Sequence, residues 1–234
     1  FIYFLLFSYG GAYVERTEKL ITNGVKNAAF LTANKIDDSI QLVQSPSYER
    51  DWEKAWKLYE GRKLTQNDFL TVVRNSLKTK YYMNETFDLY AFYLKGNDVP
   101  KCYSSRVGYS YNEYLRKADG AVQEIIADGT NYVQVKVIEN HLYLIRNLYT
   151  IADYEMYGTL VVRLNSRFLF DGFPMEQPEN TALSFGGSPL LFVDGVSAEK
   201  AEGVEIYNIL MEEADGKTDE CFRTRSQNGF RGYM

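Results

Sequence analysis

Few side chains in this sequence could carry out covalent chemistry. The 234 residues contain one histidine, His141, and two cysteines, Cys102 and Cys221. His141 and Cys102 could act as base and nucleophile, but neither lies in an elbow or flanking motif that would activate it. These three residues are also too few for a zinc site built from cysteine and histidine. The sequence therefore predicts no catalytic residue, no metal site and no cofactor.

Paired carboxylates and paired glycines give no stronger signal. Neighbouring residues of a helix point about 100° apart, so Asp37-Asp38 and Glu212-Glu213 are typical of a solvated helix face. Gly10-Gly11 and Gly186-Gly187 are not followed by the Lys-Ser/Thr step of a phosphate-binding loop. The formal net charge is −5. Because phosphate binding relies on clustered Lys and Arg, the sequence predicts no nucleic-acid partner.

Arg146 is the strongest candidate for ligand binding. In the segment HLYLIRNLY it is in phase with Leu142, Leu144 and Leu148, because side chains alternate with period two along a strand. A guanidinium on an otherwise apolar face needs a partner, since an unpaired buried charge is costly. It could receive an anionic or carbonyl group of a ligand, or it could lie exposed at a sheet edge. A salt bridge within the chain is the other alternative, and its candidate partners are Asp88, Asp153 and Glu155.

Tyrosine is the most unusual feature of the composition. Aromatic residues make up 15% of the chain, with 20 Tyr and only 2 Trp. A tyrosine offers a ring for stacking and a hydroxyl that orients a sugar or small metabolite, although it serves core or interface packing equally well. The predicted ligand-binding residues are Arg146, Tyr90, Tyr103, Tyr111, Tyr143, Asn147 and Tyr149.

A long amphipathic helix is predicted to precede these residues. Residues 13–45 contain no proline, and apolar side chains such as Ile21, Val25 and Ile36 recur at helical spacing. Ser45-Pro46 predicts the end of this helix and the start of the next, with Ser as the N-cap and Pro at the first position. We interpret residues 13–45 as a stalk helix, and a long core helix is the alternative.

The chain opens on an apolar run, Phe1–Phe7. This run is far shorter than the roughly 20 residues that span a bilayer as a helix. We interpret residues 1–12 as the outer end of a transmembrane segment, because Tyr3 and Tyr9 would suit the membrane interface. A buried strand, or an artefact of how the chain was cut for expression, is the alternative.

Beyond Pro46 the periodicity predicts an α+β fold with two antiparallel-sheet modules, a larger distal one over residues 46–175 and a smaller proximal one over 176–234. In the larger module we expect helices over 46–60, 65–77 and 114–127, and strands over 87–95, 99–105, 131–139, 141–150 and 157–165. In the smaller module we expect strands over 183–185, 190–193, 221–224 and 230–233, and a helix over 198–214.

Two adjacent strands carry a resemblance to a known family. The segments are His141–Tyr149, HLYLIRNLY, and Tyr157–Asn165, YGTLVVRLN, in which an aromatic-Gly step leads into an aliphatic run. Together with Phe192-Val193-Asp194-Gly195 and the order of elements, they resemble the extracytoplasmic double Cache (dCache) sensor regions of bacterial transmembrane sensor histidine kinases. The chain shows no clear match to the amino-acid-recognition pattern of some dCache receptors, so the resemblance does not define the ligand.

The resemblance implies two PAS-like modules on the extracytoplasmic side of the cell membrane. It also implies a signalling role, in which a small molecule or a binding protein is sensed by a membrane-anchored homodimer that forms through the stalk helix. The kinase would lie in the cytoplasm, and this chain would not itself be an enzyme. Cys102 and Cys221 are expected as free thiols rather than as a disulfide. The alternatives are the same module on a chemoreceptor or cyclase, and a surface adhesion or assembly protein without a small ligand.

Overall fold

The computed structural model describes residues 2–171 and four short strands beyond them, with the side chains of residues 13–171. The helices are α1 (Ile2–Glu49), α2 (Asp51–Glu60), α3 (Gln66–Leu77), α4 (Tyr111–Lys117), α5 (Asp119–Asp128) and α6 (Ser166–Phe170), with a π-helical turn over Lys78–Tyr82. The strands of the main sheet are β1 (Phe87–Leu94), β2 (Cys102–Ser105), β3 (Gln134–Ile138), β4 (His141–Tyr149) and β5 (Met156–Leu164). The later strands are β6 (Ala182–Leu183), β7 (Leu191–Phe192), β8 (Arg223–Arg225) and β9 (Arg231–Tyr233).

Helix α1 does not end at Pro46, contrary to the sequence-based expectation. It continues to Glu49 and ends before Arg50, whose φ of 58° lies in the left-handed region. Proline has no backbone N–H, so the carbonyl of Leu42, four residues earlier, lacks its helical donor. The Tyr81 hydroxyl donates to that carbonyl at 3.0 Å. A tertiary hydrogen bond thus replaces the one that Pro46 cannot make.

The end of α2 and the bounds of α3 agree with the prediction, whereas α2 begins at Asp51 and not at Pro46, which lies inside α1. Trp52 and Trp56 form the buried face of α2, which ends at Gly61. Helix α3 starts with a capping box, because the Asp68 N–H donates to Thr65 Oγ1 and the Thr65 N–H donates to Asp68 Oδ2. The helix predicted over residues 114–127 is divided at Ala118 into α4 and α5, and it starts earlier than expected, at Tyr111.

The five predicted strands form one antiparallel sheet in the order β2-β1-β5-β4-β3. The chain is therefore an α+β protein with the PAS-like sheet that the sequence predicts. Glu139 and Asn140, at φ 49° and 57°, form the turn between β3 and β4. Strand β4 starts at His141 as predicted, and this residue pairs with Ile138.

Helices cover both faces of this sheet. On one side, here called the insert face, Tyr143, Ile145 and Val161 form a buried cluster with Tyr114 of α4 and Val122 of α5. The other side, here called the α2–α3 face, packs against the helices that precede the sheet.

The α2–α3 face is closely packed around Phe92. Its ring lies 5.7 Å from the ring of Trp52 in α2 and 6.2 Å from that of Phe69 in α3. Gly158 makes room for this ring, because a Cβ at that position would approach Phe92 to 2.6 Å.

Two compact units divide the chain. One comprises residues 35–171 and 183–191, and the other comprises residues 1–34, 172–182 and 192–234. In the later part of the chain β6 lies beside β7, and β8 pairs antiparallel with β9. The predicted helix over 198–214 lies outside the described residues, so the proximal module, its boundaries and the stalk remain predictions.

Two further expectations concern the membrane and the cysteines. Within the described residues, no helix is both long and apolar enough to cross a bilayer. The Cys102 thiol is free and buried, whereas Cys221 lies outside the described residues.

Candidate ligand-binding cleft

The predicted ligand-binding residues fall on opposite faces of the sheet. Arg146 alternates with Ile145, which belongs to the insert-face core, so Arg146 lies on the α2–α3 face. Tyr90 lies on that face too, because its neighbours Leu89 and Ala91 belong to the insert-face core. The remaining residues are on the insert face or around it. The structure therefore does not bring the seven residues to one place, and their ligand binding stays a prediction.

Arg146 is half-buried, and its Nε and Nη1 atoms have no hydrogen-bond partner within the described part of the chain. Burial lowers the pKa of its guanidinium, and the nearby Tyr48 hydroxyl opposes this shift. Arg146 forms no salt bridge among the described residues, so that alternative is wrong, and each candidate carboxylate lies beside another cation. These pairs are Asp88 with Arg163, Glu155 with Lys95, and Asp153 with Lys57.

Several predicted tyrosines hold the fold together. The Tyr103 hydroxyl donates to the Tyr109 carbonyl at 2.5 Å, and its ring lies 5.5 Å from that of Tyr111. The Tyr149 hydroxyl donates to the carbonyl of Gly129 at the end of α5. These contacts support the packing interpretation of the tyrosines.

The Asn147 side chain also forms its hydrogen bonds within the protein. Its amide group donates to the Ile125 carbonyl at 3.1 Å and its oxygen accepts from the Thr159 hydroxyl at 2.7 Å. The side chain therefore ties α5 to strands β4 and β5 from a buried position.

A different arginine, Arg163 of β5, organises the insert face near the start of β4. Its side chain is 1% exposed, and its Nε donates to Asp88 Oδ1 at 2.6 Å. A β-bulge between Phe87 and Leu89 makes this pair possible, because the extra residue re-aims the Asp88 side chain. Burial raises the pKa of the Asp88 carboxyl, and the Arg163 charge offsets part of that shift.

Three polar atoms near this ion pair are buried without a hydrogen-bond partner among the described residues. They are Tyr109 Oη, His141 Nδ1 and Arg163 Nη1. Tyr143 lies directly opposite Arg163 in the register of β4 and β5, and the Arg163 guanidinium stands 4.7 Å from the centre of the Tyr109 ring. Buried polar groups in folded proteins nearly always have partners, so this concentration marks a site where a bound group is expected.

An open cleft of about 350 Å³ lies beside these atoms. Its lining residues are Asp88, Val107, Gly108, Tyr109, Glu113, His141, Arg163, Asn165, Ser166 and Arg167. We call this the Arg163 cleft. Apart from the Asp88–Arg163 ion pair, its lining comes from the loop before α4, from α4 itself, from His141 at the start of β4, and from Asn165 and the start of α6.

His141 is neutral in the Arg163 cleft. Burial lowers its pKa to about 4, and the positive charges of Arg163 and Lys117 add to that shift. Lys117 itself pairs with Glu113 on α4 at 3.0 Å, and Glu139 lies 3.9 Å from it. An imidazole that is kept neutral beside cations is available to hydrogen-bond with a ligand.

Sequence reasoning missed Arg163 although the same signal was present there. Arg163 is in phase with Val161 on β5, just as Arg146 is in phase with Leu144 on β4. His141 lies at the start of the predicted strand over 141–150, and the observed register with β3 and β5 places it on the insert face.

Helix α6 connects the wall of the cleft with α1. The Lys35 ammonium group of α1 donates to the carbonyls of Phe168 at 2.7 Å and Asp171 at 2.5 Å. It also lies 5.1 Å from the centre of the Phe168 ring. The cleft residues Ser166 and Arg167 belong to this same helix. A shift of α6 would therefore change the hydrogen bonds that Lys35 donates to these carbonyls.

Seven chains of solved structures are similar to this chain, among them one chemoreceptor structure. No protein family and no curated protein matches the sequence. The structure is the sensory domain of the Campylobacter jejuni chemoreceptor Tlp3 (CcmL) with isoleucine bound. It shares 15% sequence identity with this chain at a TM-score of 0.48, over 86% of this chain and 82% of the other. At this level the likeness does not bear on function.

Proposed function

We propose that this chain is the extracytoplasmic input domain of a membrane-bound sensor histidine kinase and that it binds a small molecule in the Arg163 cleft. One observation carries the proposal of a ligand site: three residues that line an open cleft, Tyr109, His141 and Arg163, each have a buried polar atom without a partner among the described residues. The kinase as the output rests on the resemblance of strands β4 and β5 to dCache sensor regions.

The contacts around the cleft support a route for the signal. A ligand that satisfies the buried polar atoms draws the loop before α4 and the start of α6 towards Arg163. The Lys35 ammonium group of α1 donates to the carbonyls of Phe168 and Asp171, so a movement of α6 is transmitted to α1. A ligand shifts a two-state equilibrium from 1:99 to 99:1 if it binds one state about 5.5 kcal/mol more tightly. A few well-placed hydrogen bonds to charged groups supply energies of this order.

A homodimer through α1 is part of the proposal. Tyr13, Leu20, Leu31 and Leu42 are all exposed large apolar residues of this helix. Their separations of 7, 11 and 11 residues are close to whole numbers of turns at 3.6 residues each. They therefore share one face of α1, which a second copy of the helix would cover.

The sensor function is tested by screening the 234-residue chain against a metabolite library by thermal shift. We expect at least one compound to raise the melting temperature, and the Tyr109→Phe variant to lose the response. Tyr132→Phe is the matched control, because Tyr132 is exposed and does not line the cleft. A hit that stabilises both variants equally would place the ligand elsewhere.

The signalling part needs a cellular readout. In a chimera, the chain replaces the extracytoplasmic region of a histidine kinase that drives a reporter gene. We expect the compound found by thermal shift to change reporter output, and Lys35→Met to reduce that change while binding persists. Absence of any hit in the library together with a silent chimera would contradict the proposed function.

A further inference from the structure

The chemistry of the unpartnered atoms in the Arg163 cleft restricts the ligand. Arg163 Nη1 can only donate, the Tyr109 hydroxyl can donate, and His141 Nδ1 can donate or accept. Such a set needs an oxygen that accepts several hydrogen bonds at once. A carboxylate oxygen does so more strongly than a neutral carbonyl or hydroxyl, because hydrogen bonds to an ionised group are about twice as strong.

The charges that line the cleft limit the ligand further. Two cations, Arg163 and Arg167, face two carboxylates, Asp88 and Glu113, while His141 is neutral. The lining is thus balanced, and one added negative charge is stabilised by the Arg163 atom that Asp88 leaves unbonded. A doubly charged phosphate would be repelled by both carboxylates at short range.

From this geometry we infer that the Arg163 cleft binds its ligand through a singly charged carboxylate, held by Arg163 Nη1 and the Tyr109 hydroxyl beside His141. The inference rests on the proposed sensor function and adds the chemical class of the ligand. The site is built on a buried arginine whose position the Asp88 ion pair fixes.

Proton uptake by His141 is a consequence that only an anionic ligand would produce. The charged and titratable groups around the imidazole are Arg163, Lys117, Glu113, Glu139, Asp88, Tyr109 and Tyr143. The positive charges of Arg163 and Lys117 help to keep it neutral, and an added carboxylate opposes both. The pKa of His141 therefore rises on binding from about 4 towards its ordinary value near 6.5.

Binding should consequently tighten as the pH falls from about 6.5 towards 5. The slope of log affinity against pH lies between 0 and −1, because a single group takes up the proton. The His141→Gln variant loses this slope but still binds the carboxylate at neutral pH. A ligand bound through neutral groups would show no such dependence.

The experiment is an NMR titration of the 234-residue chain with matched pairs of compounds. The probes are propionate and propionamide, lactate and lactamide, benzoate and benzamide, and inorganic phosphate. The backbone amide signals of Val107, Gly108 and Tyr109 report occupancy of the cleft. We expect at least one carboxylate to shift these signals saturably, and its amide partner and phosphate to leave them in place.

Two variants sharpen the result. Tyr109→Phe should weaken carboxylate binding by about tenfold or more, the effect of losing one hydrogen bond to a charged group. Its hydroxyl has no partner in the fold, so the change leaves folding intact. Tyr132→Phe should leave the affinity unchanged.

Three outcomes would overturn the inference. They are an amide that binds as well as its carboxylate, phosphate that binds when no carboxylate does, and cleft signals that no carboxylate moves. The sensor function would survive each of them if a neutral metabolite stabilised the chain and depended on Tyr109. It would fail separately if the library and the chimera were both silent.

Discussion

The hydrogen bond between Tyr81 and the Leu42 carbonyl can be tested by changing Tyr81 and Pro46 together. Tyr81 is 1% exposed, and its ring packs 5.3 Å from that of Phe87. Tyr81→Phe keeps this packing and removes only the hydroxyl that donates to Leu42. Pro46→Ala instead supplies the backbone N–H that the Leu42 carbonyl lacks.

The expected changes in unfolding free energy depend on which group donates to the Leu42 carbonyl, the Tyr81 hydroxyl or the backbone N–H of residue 46. Leaving a buried carbonyl without a donor costs about 1–3 kcal/mol, and this partly buried carbonyl belongs at the lower end. With Pro46→Ala in place, the helix provides the bond itself. Tyr81→Phe should then cost about 1 kcal/mol less than in the natural background, and this difference is the coupling energy.

Urea unfolding of the four proteins measures the coupling. Tryptophan fluorescence is the suitable probe, because the chain has 2 Trp and both lie in α2, within one compact unit. Tyr82→Phe is the matched control, since Tyr82 is a more exposed neighbour of Tyr81. A coupling below about 0.3 kcal/mol would refute the exchange of donors, because independent sites add within that margin.

Three further predictions concern Lys35, the cleft residue His141 and the packing of Gly158 on the α2–α3 face. Lys35→Met should lower the unfolding free energy by about 1.5–3 kcal/mol, because two carbonyls lose a charged donor. Urea unfolding measures this change, and Lys26→Met on the same helix is the control. Since the folded pKa of His141 is about 4 against about 6.5 unfolded, its contribution to stability is complete above pH 6.5 and falls as the pH drops towards 4. His141→Gln should therefore flatten the plot of melting temperature against pH in that window, and an unchanged slope would contradict the neutral assignment. Gly158→Ala should cost about 1–3 kcal/mol because its Cβ would meet Phe92 at 2.6 Å, whereas Gly120→Ala, whose Cβ meets no described atom within 4 Å, should be neutral or stabilising. Equal melting temperatures for the two glycine variants would contradict that reasoning.

Local signals in the sequence were sufficient for most of the elements. The alternation along β4 and β5 and the capping box at Thr65 and Asp68 depend on neighbouring residues, so their physics is contained in a short segment. Pro46 shows the limit of local rules, because its helix-ending tendency is overcome by Tyr81, which lies 35 residues later in the chain.

By itself, the sequence determined that the chain is α+β and that its main sheet has five strands. It also showed that a strand carries an arginine among apolar residues. Only the tertiary structure placed Arg163 in the lining of a cleft. Arg146 and Arg163 look alike in sequence, but the register of β4 with β5 sets Arg163 opposite Tyr143 on the insert face. The bulge at Asp88 then supplies its carboxylate. Register and bulges depend on pairing between distant segments, and no single segment contains that information.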